Sequence, residues 1–175
     1  MDNERKEEIL EVVRKAGSEE YETSWDEKGF PKSKKKSEVR KGRKSKALGG
    51  KFESFVRKDL EEKGWIVDKW SNNVDLEEGR VIPAKRKFNP FSKVMSIGTG
   101  FPDFVALQFV KEGFYKVIGV EVKVNGTLSR EEKEKCRFYL DRKVFSEIWV
   151  AEKTKEKNKV RVVYNSAEDI LGRMR

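Results

Sequence analysis

Apolar positions recur along this chain with two periods, and the switches between them outline its elements. From Glu4 to Ala16, residues Ile9, Leu10, Val12, Val13 and Ala16 fall on one side of a helix that Gly17 ends. Residues 18–48 carry no apolar period and are expected to form a mobile arm. From Gly50 to Lys63, Phe52, Phe55, Val56 and Leu60 return at helical spacing, with Gly64 as the stop. The period then shortens to two. Strands are expected at 65–70, 103–109, 115–121, 146–153 and 159–164. Ser129 with Glu132 three positions later reads as a capping box opening a helix to about Arg142, which buries Cys136, Phe138, Tyr139 or Leu140. Ser166 caps a last helix through Met174. Residues 71–101 read as one long connection. The order is α-β-β-β-α-β-β-α, a mixed α/β sandwich. Two parts follow: a helix and basic arm over 1–48, and a folded domain over 49–175.

The two central strands carry the candidate chemistry. Counting outward from Glu112, in a turn centred on Lys111-Glu112-Gly113, Asp103 and Glu121 lie opposite one another on one face. Like charges so placed repel, by on the order of 3 kcal/mol at about 5 Å and an effective dielectric of about 20. A divalent cation would relieve this. Strand alternation puts Ile118, Val120, Val122 and Val124 on one face, and Glu121 with Lys123 on the other. Asp103 and Glu121 are hard oxygen ligands suited to Mg²⁺ or Mn²⁺. Lys123 could steady a bound water or stabilise developing negative charge. Glu53, beside the apolar stripe of the 50–63 helix, could add a third carboxylate.

Composition narrows the options. The 175 residues hold 36% hydrophobic and 41% charged residues, with 11 Phe and 4 Trp to build a core. The absence of His removes histidine triads, zinc deaminase sites and HNH-type nucleases. The single Cys136 excludes an intrachain disulfide and Cys-cluster metal sites. No signal peptide or membrane span is apparent, so a cytoplasmic protein without a membrane partner is expected. Net charge is +9, and nearly all of it lies between Pro31 and Leu48. There Lys32, Lys34, Lys35, Lys36, Arg40, Lys41, Arg43, Lys44 and Lys46 face only Glu38. A basic arm on a balanced body points to nucleic acid. Within the folded domain, Lys51, Arg57, Lys85, Arg86, Lys87 and Lys93 are candidate phosphate contacts. Phe88 and Phe91 could stack on an exposed base, though anchoring of the loop is the plainer reading. Trp65 and Trp70 read as packing. The abundance of Lys, Glu and Arg resembles a thermophile's composition.

Gly49-Gly50-Lys51-Phe52-Glu53, Gly100-Phe101-Pro102-Asp103, Glu121-Val122-Lys123 and Leu128-Ser129-Arg130-Glu131-Glu132 together resemble the PD-(D/E)XK nuclease superfamily, over about Gly49 to Ala151. The likeness is nearest to small archaeal Holliday junction resolvases and related archaeal or viral nucleases. It implies a restriction-endonuclease-like fold and a Mg²⁺-dependent DNA phosphodiesterase, often a homodimer, with a cytoplasmic location in the host cell if the chain is viral or plasmid-encoded. By that likeness Asp103 and Glu121 are metal ligands, Lys123 the catalytic lysine and Glu53 the helix carboxylate. At position 132 many relatives carry Gln where this chain has Glu. Two other readings remain: a DNA-binding module with this fold but no turnover, and an interaction protein that docks through its 1–16 helix.

Overall fold

A computed structural model describes residues 3–25, 31–89, 94–97, 100–157 and 159–172. The chain divides into two compact units, Met1–Gly50 and Lys51–Arg175. In the first, α1 (Asn3–Ala16) precedes an antiparallel hairpin of β1 (Tyr21–Trp25) and β2 (Pro31–Lys35). Helix α2 (Lys36–Glu62) follows, and the boundary between the units falls inside it. Residues 18–48, read as a mobile arm for want of an apolar period, thus carry a hairpin and the start of a helix. Tyr21, Thr23 and Trp25 are β-prone, and a two-stranded ladder satisfies its own backbone without an apolar stripe. Helix propagation is likewise cheap once a helix is nucleated, so α2 starts fourteen residues before Gly50. No described side chain of residues 7–50 is buried.

The second unit continues with β3 (Ile66–Lys69), β4 (Asn72–Asp75), β5 (Arg80–Pro83), β6 (Arg86–Asn89) and β7 (Val94–Ile97). Then come β8 (Phe104–Lys111), β9 (Phe114–Lys123), α3 (Arg130–Asp141), β10 (Glu147–Glu156), β11 (Lys159–Ser166) and α4 (Ala167–Gly172). A five-stranded mixed sheet of order β11-β10-β9-β8-β3 organises the unit, with β9 and β10 parallel and joined through α3. The connection over 71–101 is not a plain loop: β4 pairs with β5 and β6 with β7. Asp75 accepts the N–H groups of Glu77 and Glu78 at 3.1 Å each, and Gly79 takes φ +60°, closing the first of these hairpins.

The sheet has a helix layer on each face. Phe52, Val56 and Leu60 of α2 bury against Phe104, Ala106, Ile118 and Val120. On the other face, Cys136 and Tyr139 of α3 pack with Phe145, Ile148 and Val150, joined by Ala167 of α4 and flanked by Val105 and Val117. Gly64 at φ +84° and the bond from Trp65 N–H to Leu60 O (3.1 Å) stop α2 where expected. Trp65 packs edge-on against Trp149, and Trp70 against Phe145 and Tyr139, so both are packing residues. No helix among the described residues is long and apolar enough to cross a membrane.

The β8–β9 register sets the site. The turn is two residues, Glu112-Gly113, with Lys111 opposite Phe114. An irregularity between Phe109 and Lys111 then absorbs one residue of β8. The pairs run from Phe109–Tyr115 to Phe104–Val120. The next step places Asp103 beside Glu121, as the simple count about Glu112 has it.

Candidate active site

Two glycines let the chain bring Asp103 onto β9. A Cβ at Gly119 would stand 2.8 Å from Pro102 Cγ, so Gly119 leaves room for Pro102 to lie over the strand. A Cβ at Gly100 would stand 2.1 Å from Trp70 O and 2.4 Å from Asn72 O. That close approach allows Phe101 N–H to bond Asn72 O (2.9 Å) and Trp70 N–H to bond Asp103 O (3.2 Å). Asp103 is thereby held from Trp70, just past the end of β3, on one side and from β9 on the other.

Asp103 and Glu121 interlock. The Asp103 N–H donates to Glu121 Oε2 (3.2 Å), and the Val122 N–H donates to Asp103 Oδ2 (2.9 Å). Glu121 is only 4% exposed. Burial raises the pKa of Asp103, against the Val122 hydrogen bond and with help from the charge on Glu53. Burial also raises that of Glu121, and Asp103 adds to it by repulsion.

Lys123 stands between two acids. Its Nζ lies 2.9 Å from Glu121 Oε1 and 2.6 Å from Glu132 Oε1. Burial disfavours its charge, but the bonds to Glu132 and Glu121 outweigh burial and raise its pKa. Glu132 meanwhile accepts the Ser129 N–H through Oε2 (2.7 Å), and Ser129 Oγ accepts the Glu132 N–H (3.3 Å). The expected capping box is present. One carboxylate thus closes the start of α3 and holds Lys123. The first of these roles is visible in the spacing of Ser129 and Glu132; the second is not. Ser129→Ala is expected to cost about 1 kcal/mol of stability, seen as a lower urea midpoint.

These groups line a cleft of about 400 Å³ together with Glu53, Asn73, Gly100, Phe101, Glu131 and Lys135. Among the described residues, five carboxylates line it, against Lys123 and Lys135. Lys135 is 9% exposed, pairs with Glu131 at 2.6 Å and lies over the Phe101 ring. Sequence reasoning missed it because it falls on the helix face expected to be apolar. Glu53 reaches the cleft from α2 but pairs with Lys69 (3.2 Å). Among the described residues, no three Asp, Glu, His or Cys side chains converge as a metal cage. Mg²⁺, however, is commonly held by one or two carboxylates with waters and substrate phosphates completing the shell. The donor set of Asp103 and Glu121, desolvated and in excess over the nearby cations, fits that demand. The buried Cys136 thiol is pushed up to about 12 by burial and offers no nucleophile at neutral pH.

Of the basic candidates in the second unit, those with described side chains do not line the cleft. Arg57 donates to Val67 O and Glu61 Oε1 (2.9 Å each), tying α2 to β3. It serves the fold, which corrects its reading as a phosphate contact near the site. Lys51 and Lys85 are exposed and do not line the cleft. The backbone of Arg86, Lys87 and Phe88 lies in β6, and Lys93 and Phe91 fall outside the described residues. Arg40, Lys41, Arg43 and Lys44 are exposed on α2 in the first unit, where Arg43 pairs with Glu22 at 2.7 Å. Comparison with protein-family models, with characterised proteins and with solved structures finds no match for this chain.

The raised pKa values carry a stability consequence. A carboxyl whose pKa is higher folded than unfolded adds stability that is full below the unfolded value, near pH 4. That stability is lost as pH rises through the folded value. In EDTA, the melting temperature is expected to drop between about pH 5 and about pH 8. The drop should shrink in Glu121→Gln.

Proposed function

We propose that this chain is a divalent-metal-dependent endonuclease that hydrolyses phosphodiester bonds in DNA, in the manner of the PD-(D/E)XK nucleases it resembles. The observation that carries the reading is the interlocked, buried pair of Asp103 and Glu121 with Lys123 beside it at an acidic cleft. Asp103 and Glu121 would hold Mg²⁺ or Mn²⁺. When bound, the ion polarises a phosphoryl oxygen and lowers the pKa of a coordinated water. Lys123 keeps its proton because two carboxylates stabilise the ammonium. Its part is therefore that of a cation and hydrogen-bond donor toward charge growing on the phosphate, and not that of a base. Glu132 positions Lys123 and does not touch substrate. Glu53 and Lys69 border the cleft from α2 and β3. The superfamily likeness favours a cut that leaves a 5′-phosphate; the choice among branched, junction and linear DNA does not follow from it, because residues 1–48 and 71–99 have no counterpart in the likeness.

The test is a panel of branched, flapped, single-stranded and linear DNA with Mg²⁺, Mn²⁺ or EDTA, with the product ends mapped. Equal cleavage in EDTA, or full activity in Asp103→Ala, overturns the reading. A nucleic-acid binder without turnover is the second reading, and the exposed Arg40, Lys41 and Lys44 favour it. Tight, salt-sensitive binding with no cleavage anywhere in the panel, unchanged or improved in Glu121→Ala, would establish it. Sedimentation of the full chain tests the homodimer implied by the same likeness.

A further inference from the structure

Trp25 ends the β1–β2 ladder opposite Pro31 and is 71% exposed. An indole left this far in water is not part of a core. Its ladder neighbours are polar: Thr23 and Ser33 share a hydrogen bond (3.0 Å), and Ser24 Oγ donates to Lys32 O (3.3 Å). Asp26 and Glu27 follow it directly in sequence, and the positive charge begins further on, along β2 and α2. Lys34 and Lys35 are exposed on β2. Lys36, Arg40 and Lys44 recur every four residues along α2, all exposed, on one ridge about 6 Å apart. Like charges at that spacing repel, and Glu38 falls on the opposite side of the helix. Glu22, the acid facing Lys34 across the hairpin, is engaged by Arg43. A polyanion is the missing counter-charge. An acidic protein surface would engage the lysines alone, whereas a strand with unstacked bases offers both phosphates and ring faces.

We propose that Met1–Gly50 is a binding module for nucleic-acid strands with unpaired bases, in which Trp25 stacks on a base while Lys35, on the same face of the hairpin, and Arg40 and Lys44 of α2 hold phosphates. The inference rests on the nucleic-acid reading above and deepens it by naming the substrate class: single strands, flaps and open junctions. The unit has no buried described side chain, so contact with the strand supplies packing that it does not make for itself. Stacking on an aromatic ring tolerates any base, so little sequence preference accompanies it.

The experiment measures binding of the full chain in EDTA to a short oligothymidylate and to a sealed duplex dumbbell. Trp25→Ala is expected to weaken oligothymidylate binding about tenfold, and dumbbell binding by less than about twofold. Equal losses on both probes, or none, overturn the proposal. Trp25→Tyr keeps a β-prone aromatic at the position. It is expected to retain most of the affinity while oligothymidylate no longer quenches tryptophan emission; quenching that persists also overturns it. Charge reversal at Arg40 and Lys44 should weaken both probes and flatten the salt dependence. Cleavage with Mg²⁺ is read separately. Cleavage without a Trp25 effect sinks this inference alone, and Trp25-dependent binding without cleavage sinks only the nuclease reading.

Discussion

Asp103→Asn is expected to lower metal-dependent cleavage on the order of a hundred- to a thousand-fold, and to raise the melting temperature of the metal-free protein at neutral pH. The two effects share one cause. Asp103 and Glu121 are acids from which water has been stripped, and the charge on Asp103 opposes ionisation of Glu121. An asparagine keeps the shape of the aspartate. Its carbonyl oxygen can still accept the Val122 N–H, and its amide can donate toward Glu121 where a carboxylate would repel it. The variant gains rest stability by giving up the charge that a cation needs. Divalent ion should therefore raise the melting temperature of the wild type, by about 2.7 kcal/mol of stability at a hundredfold excess over its dissociation constant. The variant should gain little. A fall in metal-free stability would count against mutual repulsion, and cleavage at wild-type rate would count against the assigned role.

Gly100→Ala is expected to destabilise the fold on the order of 3 kcal/mol or more, read from urea denaturation. The added methyl would meet two backbone oxygens, Trp70 O and Asn72 O, and a backbone held by its own hydrogen bonds cannot step aside cheaply. Gly119→Ala makes a useful contrast. There the nearest atoms belong to side chains, Pro102 Cγ at 2.8 Å and Phe145 Cδ2 at 3.1 Å, and the buried proline ring gives only by its pucker, so about 1–3 kcal/mol is expected. Both changes push the 100–103 segment away from β9. Either should cost activity beyond its cost in stability, because a displacement of about 1 Å at a reacting centre can cost on the order of a hundredfold. If Gly100→Ala melts like the wild type, Trp70 and Asn72 do not crowd that position.

What could be read from the chain beforehand was whatever depends on near neighbours. Phe52, Val56 and Leu60 recur every four residues, and they mark the buried face of α2. Ser129 and Glu132 announce the start of α3 through a bond that spans three residues. Asp103 and Glu121 could be paired by counting because their strands are joined by a short turn. Even so, the count about Glu112 succeeds only because a tighter turn is offset by the irregularity beside Phe109. The β1–β2 hairpin left no apolar signature, and in the β4–β5 and β6–β7 hairpins the runs at Val81, Ile82 and at Val94, Met95, Ile97 are too brief to establish a period. Their strands are four or five residues long, several carry Lys, Asn or Pro, and their backbone bonds form whatever the side chains are. Long-range partnerships were equally silent. Nothing in the spacing says that Arg57 spends its guanidinium on Val67 O, or that Lys123 meets Glu132 across the gap between β9 and α3.

The double duty of Glu132 has a consequence for heat. One of its oxygens fastens the first turn of α3 and the other fastens the ammonium of Lys123. Helix ends fray earlier than sheets do. Warming should therefore unlatch the lysine while the five strands are still intact, and the protein would fall silent several degrees before it melts.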